Sequence, residues 1–89
     1  MSYGTVMQLH KNIESLAAKN PGLAIGMSTA KMFNANLEET QKSHPDNVIL
    51  QAIESASEKT KYEELVVLTG QLQQILEDEE GGLVAGFLG

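Results

Sequence analysis

Apolar residues recur at intervals of three and four along most of this chain, and that spacing constrains its fold more than any other feature. In the first segment they are Val6, Leu9, Ile13 and Leu16. Such spacing places side chains on one face of an α-helix, so we predict an amphipathic helix over residues 3–19. Asn20-Pro21-Gly22 then ends it, because proline disfavours the helical conformation in the residue before it.

A second helix is predicted over residues 22–41, and it is apolar on two sides. Its main stripe consists of Leu23, Met27, Ala30, Phe33 and Leu37. Ile25 and Met32 fall on the opposite side of the same helix. Because a helix that is apolar on both sides has to bury both, we expect Ile25 and Met32 to pack either among neighbouring helices or against a second subunit.

The third helix is predicted to start near residues 43–46, with either Ser43 at the N-cap or Pro45 at the first helical position. Its apolar stripe consists of Val48, Ile49, Ala52, Ile53 and Ala56. Leu50 lies off this stripe, so its truncation to alanine is expected to cost less than about 1 kcal/mol of stability.

The fourth helix is predicted over residues 61–77. Its apolar face consists of Leu65, Leu68, Leu72, Ile75 and Leu76. No proline or glycine separates it from the third helix, so one continuous helix over 45–78 is an alternative. In a continuous helix the two stripes would point about 170° apart, which favours a turn near residues 57–60.

These elements predict an all-α fold: a small four-helix bundle or open helical array built from two antiparallel helical hairpins. The 89 residues suffice for one small core. We therefore divide the chain into a single helical domain over 1–80 and a Gly-hinged apolar C-terminal tail over 81–89. The core is thin, with several alanines in its stripes, and this favours self-association as a homodimer. The two copies are expected to associate through Ile25, Met32, Val67 or the tail.

Composition excludes several functional classes. The chain has no cysteine, which excludes disulfides, thiolate metal sites and a cysteine nucleophile. It has no arginine and a net charge of −6, which argues against nucleic-acid binding. It has no apolar run long enough to span a membrane and no signal-peptide pattern, so no membrane association and a cytoplasmic location are expected. The acidity is local, because residues 46–89 hold two lysines against nine acidic residues.

No residue pattern indicates catalysis, a cofactor or a metal, and we predict that the protein is not an enzyme. His10 and Glu14 are neighbours on one helix flank, but the chain has no Glu-x-x-His pair and no Gly-x-Ser-x-Gly elbow. Two alternatives stay open. One is a metal- or ligand-binding bundle that uses His10, Glu14 and a carboxylate from another helix. The other is an acidic antagonist of a basic or nucleic-acid-binding protein.

The C-terminal segment is the least usual feature of the sequence. Leu83, Val84, Phe87 and Leu88 follow the Gly81-Gly82 pair. Such residues are costly in water unless they pack somewhere, so they fold back, dock into a groove or belong to a longer protein. The leading hypothesis is a non-catalytic protein–protein interaction or assembly module, a small adaptor or regulatory subunit. Its partner-binding residues are predicted to be Ile25, Met32, Leu83, Val84, Phe87 and Leu88.

Overall fold

A computed structural model describes residues 3–81, and over this range the fold is all-α. The elements are α1 (Tyr3–Lys19), α2 (Gly26–Ser43), α3 (Val48–Gln51), α4 (Tyr62–Leu76) and a π-helical turn (Glu77–Gly81). The described part of the chain contains no strand, only an isolated antiparallel bridge between Ala24 and Lys61. Two arrangements were expected, a four-helix bundle or an open helical array, and the described residues form the open helical array.

The first and last long helices form the central pair, with α1 packed against α4. Their buried apolar residues belong to one core: Val6, Leu9, Ile13, Leu65, Leu72, Ile75 and Leu76. The predicted bounds of both helices are confirmed to within a residue. Leu16 departs from the prediction, because it lies in the last turn of α1 and is partly exposed to solvent.

Helix α2 begins four residues later than predicted, and this changes the face that it buries. Its first residue, Gly26, has a φ of +83°, a left-handed conformation that side chains disfavour. The chain before it is therefore out of phase with the helix. Leu23 and Met27, predicted to be buried, are more than half exposed. The buried face of α2 consists of Ala30, Phe33, Leu37 and Thr40.

Backbone hydrogen bonds join the α1–α2 connection to the segment that precedes α4. The amide of Ile25 donates to the Thr60 carbonyl at 2.8 Å, and the amide of Tyr62 donates to the Leu23 carbonyl at 3.0 Å. Two further bonds run from Gly26 to Glu58 and from Glu63 to Pro21. This pairing fixes the non-helical backbone around Ile25, whose side chain joins the core and is only 6% exposed.

The third helix is a single turn, so the five residues of the predicted stripe do not share one helical face, although Ile53 and Ala56 still pack in the core. Val48 and Ile49 are exposed, whereas Leu50 is fully buried. The predicted N-caps are also wrong, because Ser43 is the last residue of α2 and the side chain of Asn47 caps α3. Its Oδ1 accepts a hydrogen bond from the Leu50 amide at 2.9 Å.

The chain between α3 and α4 is irregular, and two side chains of α2 hold its backbone. Asn34 donates to the Ala56 carbonyl at 2.8 Å and accepts from the Ala56 amide at 2.7 Å. Gln41 donates to the Leu50 carbonyl at 3.1 Å. These bonds replace helical ones, and they explain why the apolar spacing over 48–56 does not produce a long helix. The predicted turn over 57–60 is confirmed, since the Thr60 amide donates to the Ser57 carbonyl.

Candidate functional site

An open groove lies between the 49–55 segment and α4. It consists of two adjoining depressions of about 380 and 430 Å³, which share Glu54 and Leu68. We call it the α3–α4 groove and define it by seven residues: Ile49, Ile53, Glu54, Glu63, Glu64, Val67 and Leu68. Four of these are apolar and three are acidic, so the groove combines an apolar lining with negative charge.

The helical repeat of α4 produces one wall of this groove. Glu64, Val67, Leu68 and Gln71 recur at helical spacing and line it, whereas Leu65 and Leu72 are fully buried in the core. Val67 is 56% exposed. Glu63 and Glu64 lie in the first turn of α4, where negative charge also stabilises the helix dipole. Their place in the sequence therefore has a structural reason.

The short α3 and the irregular segment after it produce the other wall. Because α3 is one turn long, Ile49 remains 71% exposed beside the groove. Ile53 is partly buried against the core. A third helix of the predicted length would have buried Ile49 and Ile53 in one stripe. The groove exists because α3 ends after one turn, at Gln51, and leaves Ile49 exposed beside α4.

The structure describes two of the six predicted partner-binding residues, Ile25 and Met32. Ile25 is a core residue of this chain and packs among its neighbouring elements, which is the first of the two alternatives expected for it; the cause is that it precedes α2 instead of lying on its back. Met32 lies on α2 and is 48% exposed, so it is accessible for contacts. Leu83, Val84, Phe87 and Leu88 lie outside the described residues.

His10 joins α1 to α4 instead of lying on a solvated flank. Its Nδ1 is 2.8 Å from the Thr69 hydroxyl, and Gly70 leaves room for the ring. The Thr69 hydroxyl also donates to the Val66 carbonyl at 3.2 Å, so both contacts are satisfied when His10 Nδ1 carries a proton. The spacing of residues along the chain does not indicate a contact between His10 and a hydroxyl group. Thr69 is fully buried, so the pair contributes to the packing of α1 against α4.

A polar cluster joins the π-helical turn to the α2–α3 connection. Asn47 donates to Glu79 Oε1 at 2.8 Å, and His44 Nδ1 lies 3.9 Å from Glu79 Oε2. Asn47 thus caps α3 and binds the acidic run at the same time. The α-helix itself ends at Leu76, directly before the acidic residues.

Between residues 3 and 81 no group of three or more His, Asp or Glu side chains could hold a metal ion. His10 Nε2 lies 3.7 Å from Glu14 Oε2, without a third carboxylate from another helix. In the same range no helix is long and apolar enough to cross a membrane.

No known protein family, curated protein or solved structure matches this chain.

Proposed function

We propose that this protein is a non-catalytic interaction module that binds a segment of a partner protein in the α3–α4 groove. The observation that carries the proposal is the exposure of Ile49 and Val67 on its two walls. Neighbouring exposed apolar side chains with polar residues around them are typical of interaction sites on soluble domains. Burial of these side chains by a partner would supply the binding free energy.

The dimensions of the groove favour a peptide-like segment over a flat domain surface. The residues that line it along α4 run from Glu63 to Gln71, which is about 12 Å of helix. One helix or one extended segment fills such a length, and helix-in-groove binding is a recurring mode of peptide recognition. An adaptor or a regulatory subunit binds its partners in this way.

Capture of partners from an extract of the native host tests the proposal, with the full chain immobilised. Ile49→Ser removes an apolar group that lines the groove. Val48→Ser makes a matched change one residue earlier, at a side chain that is even more exposed but does not line the groove. We expect a partner that the wild type and Val48→Ser retain and that Ile49→Ser loses. Equal retention by all three proteins, or retention by none, would contradict the proposal.

The finer predictions from the sequence belong to this proposal. Homodimer formation through Met32 and the 83–88 segment is expected, and so are a cytoplasmic location and the lack of nucleic-acid binding. Met32→Lys is expected to weaken self-association in light scattering without loss of helical content, since Met32 is half exposed. A wild type that is monomeric at high concentration would contradict the dimer but would leave groove binding intact.

A further inference from the structure

We infer that the α3–α4 groove takes a basic amphipathic helix, whose apolar residues contact Ile49 and Val67 and whose lysines or arginines face Glu54, Glu63 and Glu64. This inference rests on the proposed function and adds the chemistry of the partner. It follows from the way in which apolar and charged residues share the two walls of the groove.

The charged residues that line the groove all have the same sign. Glu54 comes from the irregular segment, and Glu63 and Glu64 come from α4, so both walls contribute. All three side chains are exposed. Lys59 and Lys61 flank Thr60 in the chain, but neither lines the groove. A ligand with positive charge therefore meets complementary charge on both sides, which favours association and selects against acidic ligands.

Both depressions of the groove combine apolar and acidic residues. Ile49, Ile53 and Glu54 line the depression that reaches Gln71. Val67, Glu63 and Glu64 line the depression at the start of α4, and Leu68 and Glu54 line both. A helix that lies along the groove therefore meets apolar side chains and carboxylates in both depressions. Leucine-like residues repeated at three and four positions, with lysine or arginine at the polar positions beside them, match this arrangement.

Charge also distinguishes this occupant from two others. A second copy of the chain carries a net charge of −6, and like charges oppose its approach to an acidic groove. The chain's own segment 83–88 is apolar and has no basic side chain, so it would leave the three glutamates without a partner. A basic helix from another protein satisfies both the apolar and the charged residues.

Synthetic helical peptides of about 18 residues provide the probe, and binding to the full chain is measured by fluorescence anisotropy. One peptide has a leucine stripe with lysine at its polar positions. A second has the same stripe with glutamate, and a third has the lysine composition in an order without a stripe. We expect the lysine peptide to bind, the other two to bind at least about tenfold more weakly, and added salt to weaken the complex.

Protein variants locate the site. Changing Glu54, Glu63 and Glu64 to glutamine is expected to lower the affinity for the lysine peptide on the order of tenfold. Changing Glu77 to glutamine and Asp78 to asparagine removes exposed charges about 20 Å along the helix from Glu63 and Glu64, more than a Debye length at physiological salt, and is expected to change affinity less than about twofold. Ile49→Ser is expected to weaken binding, and Val48→Ser is not.

The other outcomes each overturn the inference. Equal binding of the glutamate peptide would show an apolar groove without charge preference, and the proposed function would survive. Equal weakening by the Glu77 and Asp78 changes would show unspecific attraction to an acidic protein. Binding only after Leu83 and Phe87 are changed to serine would show that the chain's own segment occupies the groove. No binding by any peptide, with a partner still captured through Ile49, would assign the groove a ligand of different chemistry.

Discussion

The α1–α4 pair and the segment over residues 44–61 both bury apolar side chains in the same core, but different interactions hold them. In the pair, regular helices present stripes such as Val6, Leu9 and Ile13 against those of α4. In the 44–61 segment only one helical turn forms, and Leu50 and Ala56 enter the core from a largely irregular backbone. Side-chain amides satisfy that backbone where helical hydrogen bonds are missing.

Four amide side chains supply these hydrogen bonds to the backbone. Asn34 and Gln41 bind the backbone of the segment from α2, and Asn47 caps α3. Gln51 donates to the carbonyls of Gln41 and His44 at the end of α2. A buried irregular backbone requires such partners, because an unpaired amide or carbonyl group is costly in the core.

This difference explains where the α3–α4 groove lies. A regular helix over 45–56 would have presented a continuous apolar stripe to the core. The irregular segment instead buries Leu50 and leaves Ile49 exposed beside α4. The region that departs from helical regularity is therefore the one beside the groove in which we propose that a partner binds, and binding residues in general tend to lie on connections.

The largest effect is expected in the α1–α4 pair. Leu72→Ala removes a fully buried side chain from the middle of the α4 face and is expected to lower the free energy of unfolding by about 2–4 kcal/mol. Val67→Ala on the same helix removes a half-exposed side chain and is expected to cost less than about 1 kcal/mol. Urea unfolding measures both. Similar losses for the two variants would contradict the assigned face of α4.

Truncation of Leu50 tests the irregular segment in the same terms. Leu50 is fully buried, so Leu50→Ala is expected to cost about 2–3 kcal/mol, instead of the small loss that the helical stripe predicts. Ile49→Ala is the matched control one residue earlier, and its cost is expected to stay below about 1 kcal/mol. A larger loss for Ile49→Ala than for Leu50→Ala would instead support a regular third helix.

The two regions also differ in how well the sequence predicts them. The spacing of Val6, Leu9 and Ile13 identifies α1 because a long amphipathic helix follows local periodicity. Over 48–56 the same kind of spacing is misleading, since the hydrogen bonds from Asn34 and Gln41 come from residues 22 and 9 positions away along the chain, and local periodicity does not record them. The groove could not be predicted for the same reason, although Val67 was already recognisable as lying off the core stripe of α4.

Removal of the Asn34 amide is expected to loosen the segment locally. Asn34→Ala breaks both hydrogen bonds to Ala56 and is expected to cost about 1–2 kcal/mol. The amide of Ala56 is then expected to lose protection against hydrogen exchange, while amides of α1 and α4 keep theirs. Asn36→Ala makes the same change two positions along α2 and serves as the control. Unchanged protection at Ala56 would show that packing alone holds the segment.

The smallest effect concerns the contact between His10 and Gly70 in the α1–α4 pair. A Cβ at position 70 would lie 3.2 Å from His10 Cε1, so the alanine in Gly70→Ala crowds the ring. Alanine in a helix interior otherwise stabilises by about 0.5–1 kcal/mol relative to glycine. We therefore expect Gly70→Ala to be nearly neutral in the wild type and to stabilise by about 0.5–1 kcal/mol in a His10→Ala background. A double-mutant cycle in urea measures this coupling, and strictly additive effects would show that the His10 ring moves aside without cost.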